Sequence, residues 1–176
     1  MNRFRLTAPM GAALALLLGG ACAPPPQTSP AAAPSGVKRL RVVHTNDIHG
    51  RILPQPPRSG ETRAAGGAAV LGAHFDSAAA RFPGATIFLS GGDDMQGTAI
   101  SNLSWGRATI ASFNAMGYDA AATGNHEFDW GQDTLRARMR ESRFPWLAAN
   151  LFQAGTGRRA EWVKPWTIIE RRGVRV

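Results

Sequence analysis

The sequence predicts an α/β fold, with a mostly parallel sheet and flanking helices. Three observations carry that expectation. Short apolar, β-rich runs alternate with stretches whose apolar residues recur at helical spacing. Gly and Pro punctuate the changes from one to the other. And three segments that place Asp, Asn or His beside Gly (44–49, 91–97 and 124–131) each follow an apolar run directly. Parallel sheets gather their sites at the carboxyl ends of the strands, so this layout would bring distant segments to one edge.

The elements follow in order. Residues 40–44 (Leu-Arg-Val-Val-His) read as a first strand, and 51–63, rich in Pro and Gly, as a loop. Residues 67–82 read as a helix: Leu71, Phe75, Ala78 and Phe82 fall on one face, and Pro83-Gly84 ends it. Residues 85–90 form a short apolar run that suits a strand buried on both faces. A second helix is expected over 107–116, with Ile110 and Phe113 inward and Gly117 as its stop. Residues 118–123 are a third strand. Asp133 is placed to cap a third helix through about Ser142, with Leu135 and Met139 on one face. Residues 145–149 are a fourth strand. Residues 166–170 and 174–176, joined through Arg172-Gly173, read as a hairpin.

The 176 residues suffice for one ordinary domain, and folding is expected to begin near Lys38. Residues 1–22 read as an export segment, with a basic start at Arg3 and Arg5 and an apolar stretch too short to span a bilayer. The only cysteine, Cys22, follows Leu18-Gly-Gly-Ala21, which resembles a bacterial lipobox. On that reading Cys22 is lipidated and anchors the exported protein to a membrane. Cleavage after the small-x-small run Ala21-Cys22-Ala23 is the alternative. Residues 23–37 are a Pro/Ala/Ser-rich tether. With one cysteine there is no internal disulfide, so stability must come from packing or metals.

The formal net charge is +8. A polymeric nucleic acid partner is nevertheless not expected, because the arginines are scattered. Their densest group, Arg136, Arg138, Arg140 and Arg143, recurs on a predicted helix as a solvated face. The acid is concentrated instead: Asp47, Asp93, Asp94, Glu127 and Asp129 all lie inside the three motifs, where divalent cations could neutralise them.

Asp47 and His49 leave the first strand as an Asp-x-His pair, and alternate residues of an extended chain point the same way, so both could reach one cation. An oxygen and a nitrogen donor together suit zinc, manganese or iron. Asp93 follows Gly91-Gly92, whose freedom allows a tight turn, and its two oxygens could bridge two ions. Asp94 reads as a cap of that turn or of the next helix. Asn125 can complete a carboxylate-rich site. His126 and Asp129 are three apart, so one helical turn would let the carboxylate orient the imidazole. His44 and His74 read as satisfied core histidines.

Together these segments resemble the 5′-nucleotidase family of calcineurin-like metallophosphoesterases. The matching stretches are 43–49, Gly66-Gly-Ala-Ala69, 91–98, 124–131, Ala149-Asn150 and the 164–176 hairpin region. The resemblance implies the first half of a metallophosphoesterase αββα sandwich over 38–176. It implies two divalent metal ions, zinc, manganese or similar. Asp47 and His49 would hold the first, Asp93 would bridge both, and Asn125 would hold the second. His126, paired with Asp129, would be the catalytic histidine, and Asn150 would support the site from behind or serve a structural role.

The substrate implied is a 5′-nucleotide or another phosphate ester. 2′,3′-Cyclic nucleotide phosphodiesterase, UDP-sugar hydrolase and thiosulfohydrolase activities are rivals, as is a non-catalytic surface lipoprotein that binds an anionic partner through the Arg-rich helix. The family pattern also requires a later His ligand and a Gly-His-x-His segment, and histidines 44, 49, 74 and 126 cannot fill those positions. The expectation is therefore a truncated chain that is inactive by itself.

Overall fold

Four strands pair side by side in the order of the chain. The computed structural model describes residues 36–176; the export segment, the Cys22 anchor and all but the last two residues of the tether lie outside them. The sheet contains β1 (Arg41–Thr45), β2 (Thr86–Ser90), β3 (Ala120–Ala122) and β4 (Trp146–Leu147), in the order β1-β2-β3-β4 and parallel throughout. Between them run α1 (Ala68–Arg81), α2 (Ala99–Leu103), α3 (Arg107–Met116) and α4 (Gln132–Glu141). A 3-10 turn (His126–Phe128) precedes α4, and an antiparallel hairpin of β5 (Glu170–Arg171) and β6 (Val174–Arg175) follows the sheet. The expected parallel α/β architecture is the observed one.

The core lies between the sheet and its helices. Phe88 of β2 stacks on Phe75 of α1 at 4.3 Å between ring centroids, and Tyr118 stacks on Phe113 of α3 at 4.2 Å. Phe144, Trp146, Leu135, Ile110 and Met95 complete the buried cluster. Each such aromatic or aliphatic side chain contributes about 1.5–3 kcal/mol by leaving water. The spacing that predicted α1 is the spacing that buries it, with Phe75 inward and Leu71 packed beside it. Gly117 adopts the left-handed conformation that stops α3 (φ 75°), and Arg172 and Gly173 turn the hairpin at φ 52° and 69°.

Several expectations are corrected. His44 is exposed rather than core, because β1 is an edge strand whose residues alternate between half-buried and exposed. His74 is exposed on α1. Asp133 does not cap α4: Gly131 occupies that position without a side-chain hydrogen bond, and Asp133 sits in the first turn, where its charge favours the helix dipole. α2 has no counterpart among the expected elements, because five residues are too few to show a helical period. It forms because Ser101 is wholly buried and bonds to the Met95 carbonyl and the Thr109 hydroxyl.

The Arg-rich helix is not a uniformly solvated face either. Arg138 is buried, donating to the carbonyl of Trp105 at 3.0 Å and to Glu141 at 2.7 Å. Among the described residues no helix is long and apolar enough to cross a membrane.

Candidate metal centre

The site is built on an extension of the sheet. Past Thr45 and Ser90 the chains of β1 and β2 stay hydrogen-bonded as loops: Asp47 N donates to Gly92 O (2.9 Å), His49 N to Asp93 O (3.0 Å) and Gly50 N to Asp94 O (2.7 Å). The ladder holds the first two motifs together although neither is a strand there. Asp47, His49 and Asp93 all take positive φ (55°, 50° and 57°). Asp and His tolerate this region better than most residues, and such strain persists only where the surroundings over-determine it.

This corrects the reason for the Asp47–His49 pair. The segment is not extended; left-handed turns bring the two side chains together, with His49 Nε2 3.8 Å from Asp47 Oδ1. The loops are packed so closely that they require glycine, at Gly97 and Gly124 among other positions. A Cβ on Gly97 would come within 3.0 Å of His49 atoms, and one on Gly124 would stand 2.7 Å from the Asp93 amide nitrogen and closer still to its carboxylate.

Both candidate histidines are oriented from behind. His49 Nδ1 lies 2.8 Å from the Gln96 carbonyl, which can only accept, so Nδ1 carries the proton and Nε2 is left as a ligand atom. His126 Nδ1 lies 2.7 Å from Asp129 Oδ2 across the 3-10 turn, the pairing expected from a spacing of three. That hydrogen bond raises the His126 pKa above its ordinary value, and partial desolvation opposes it. The two imidazoles meet edge to face at 5.0 Å. Asp93 Oδ1 accepts the His126 amide at 2.8 Å, which leaves Oδ2 available.

One ligand atom from each of His49, Asp93 and His126 lies within 4.8 Å of the others. Asp47 is adjacent and well exposed (58% of its side chain), with Asn46 Nδ2 donating to its Oδ2 at 2.5 Å. Asn125 is exposed at the start of the 3-10 turn. Asn150 is exposed just past β4 and is not drawn into the cluster.

Sequence reasoning assigned no role to Glu127 and misplaced Asp94. Glu127 is 1% exposed, and its carboxylate accepts three backbone amides: Asp93 at 2.9 Å, Asp94 at 2.8 Å and Gly124 at 2.8 Å. Asp94 is fully buried and caps no helix. Its Oδ2 accepts Ser90 Oγ–H at 2.5 Å and its Oδ1 has no hydrogen-bond partner among the described residues. Burial pushes its pKa up to about 7, aided by the nearby Glu127 and Asp93 and opposed by the Ser90 hydrogen bond. The acid-rich motifs were the available signal for both; burial of two of those acids was not readable from spacing.

The donor set fits a divalent cation of the zinc or manganese type. The His49 imidazole and the Asp93 carboxylate converge with Asp47 beside them, and His126 faces the same point with its far nitrogen held by Asp129. A surface cavity of about 700 Å³ opens elsewhere, lined by Gln132, Phe152, Arg158, Arg159 and Trp162 among others, and contains none of these donors.

The chain is similar to several known proteins. The family model described as Calcineurin-like phosphoesterase matches residues 40–175. Protein UshA of Salmonella pullorum is 35% identical over 168 residues, covering 94% of this chain and 29% of its own length. A 5′-nucleotidase of Vibrio parahaemolyticus is 33% identical over 138 residues, covering 78% of this chain and 24% of its own length. The crystal structure of a 5′-nucleotidase precursor from Thermus thermophilus superposes with a TM-score of 0.68 at 35% identity, over 77% of this chain and 27% of that one. The chain thus spans less than a third of the length of the relatives it matches.

Proposed function

The chain belongs to the calcineurin-like phosphoesterase family, and from that premise we propose that it serves metal-dependent hydrolysis of phosphate esters, 5′-nucleotides first among them. The observation that carries this reading is the convergence of His49, Asp93 and His126 within 4.8 Å at the carboxyl edge of a parallel sheet. Similarity to proteins named 5′-nucleotidase supports the substrate class. We further propose that the protein is exported and anchored through Cys22, as the pattern of residues 1–22 suggests.

On this proposal Asp47 and His49 hold one cation, Asp93 contributes to both, and Asn125 offers its amide oxygen to the second. When bound, the cations supply an activated nucleophile and neutralise charge on the phosphoryl group. The protein's own contribution is positional. Asp129 fixes the His126 tautomer and ring plane, so the other ring nitrogen faces the reacting group. The same hydrogen bond favours imidazolium, which can donate to a phosphoryl or leaving oxygen. Phosphoryl transfer rewards such pre-set donors more than covalent help. The rival of an anion-binding Arg-rich helix is weakened, because Arg138 turns inward to Trp105 and Glu141.

The test is phosphate release by the full-length protein, stripped of metal and reloaded with Mn²⁺ or Zn²⁺, from 5′-AMP, 2′,3′-cyclic AMP and UDP-glucose. Metal-dependent turnover, highest on 5′-AMP, is expected. His126→Ala should lower kcat by about 10²–10⁴ while bound metal persists. Absence of metal-dependent release from any ester refutes the reading, and loss of metal on His126→Ala makes His126 a ligand instead.

A further inference from the structure

Ladder pairing between β2 and β3 ends at Ser90↔Ala121, yet the second and third motifs, which begin just beyond, must stay in register for Asp93 to face His126. Three amides at that junction, those of Asp93, Asp94 and Gly124, turn to one buried side chain, Glu127. Two come from the loop after β2 and one from the loop after β3. A single carboxylate thereby stands in for the missing ladder, and a further direct bond at this seam runs from the His126 amide to Asp93 Oδ1.

We propose that Glu127 is a positioning residue for the cation site: it clasps the two loops so that Asp93 and the Asn125–His126 segment present their donors together. The inference rests on the phosphoesterase reading but assigns Glu127 no contact with cation or substrate. The clasp needs acceptors on both oxygens, since Oε2 takes the Asp93 and Gly124 amides while Oε1 takes that of Asp94. Gln has nearly the same shape but would turn an N–H toward at least one of these donors. Glu127→Gln therefore isolates the acceptor pattern from side-chain volume.

The experiment is Mn²⁺ titration of the full-length protein and its Glu127→Gln variant, followed by turnover as a function of Mn²⁺ concentration. Supporting groups behind metal ligands are worth about 10–100-fold in affinity, and a weakening of that order is expected. Turnover at saturating Mn²⁺ should be largely recovered, because the reacting groups remain. Asp93→Asn, which alters a donor, should not recover.

A folded Glu127→Gln variant whose Mn²⁺ affinity is within twofold of the parent overturns the inference while leaving the phosphoesterase reading intact. A parent that binds no Mn²⁺ overturns both. Hydrogen exchange in the parent keeps the idea testable even if the variant does not fold. The amides of Asp93, Asp94 and Gly124, none of them in a strand or helix, should exchange slowly; rapid exchange at all three refutes the clasp.

Discussion

Replacing Asp94 with Asn should remove most of the pH dependence of stability that this buried carboxyl imposes on the metal-free protein. Asp94 is fully buried, with one oxygen on Ser90 Oγ and the other without a hydrogen-bond partner among the described residues. Its pKa rises from 3.8 to about 7, chiefly through burial. The sign follows from proton binding. Between pH 4 and pH 7 the folded protein holds a proton on Asp94 that the unfolded chain has released, so stability falls as pH rises through that window and levels off above it. Moving this carboxyl from 3.8 to about 7 corresponds to about 4 kcal/mol, a large part of the stability of a small domain. The assay is urea unfolding of parent and Asp94→Asn in metal-free buffer from pH 4 to pH 8. The difference between the two proteins should change by roughly this amount, with Asn gaining on Asp as pH rises. Titrating groups far from Asp94 are common to both proteins and cancel in the difference, which reports Asp94 together with its coupling to Glu127 and Asp93. Parallel curves across the range would show that folding does not shift the Asp94 pKa.

Two further outcomes follow from the site. In the metal-free protein the His126 imidazole should titrate above its ordinary value, because Asp129 bonds to Nδ1 and favours imidazolium; Asp129→Asn should lower the midpoint seen by NMR, and an unmoved midpoint would mean the pair does not form in solution. That stabilisation is present below the unfolded-state pKa and is lost as pH rises through the folded one. Gly124→Ala should cost about 1–3 kcal/mol by overpacking and weaken Mn²⁺ binding, since the added carbon would strike the Asp93 backbone and carboxylate. Gly72→Ala, inside α1 with only an ordinary 3.5 Å neighbour, should instead stabilise by about 0.5–1 kcal/mol. Equal effects at the two positions in thermal unfolding would contradict the close approach.

Local chemistry determined much of this protein without reference to tertiary contacts. The alternation of β-rich and amphipathic segments specified the parallel α/β order. The helical spacing of Leu71 and Phe75, and of Ile110 and Phe113, named the buried faces, and Gly117 and Arg172-Gly173 named two of the stops. The three acid- and histidine-bearing motifs were legible as one site because parallel strands deliver the segments after them to a common edge. The His126–Asp129 pair was legible because a spacing of three is one helical turn.

What only the tertiary structure decided depends on packing between segments far apart in the chain. His44 lost its place in the core because β1 lies at the sheet edge, and Arg138 gained one because the α2–α3 junction offers it carbonyls. Asp47 and His49 meet through left-handed turns pinned by the neighbouring loop, not through strand alternation. In sequence Asp94 reads as a cap, and Glu127 as one more acid of the three motifs. Burial separates them from the solvated set, one as a carboxyl pushed toward neutrality and the other as the acceptor on which two loops close. Which acids face solvent and which face backbone is set by the distance between loops, and that distance is a property of the fold.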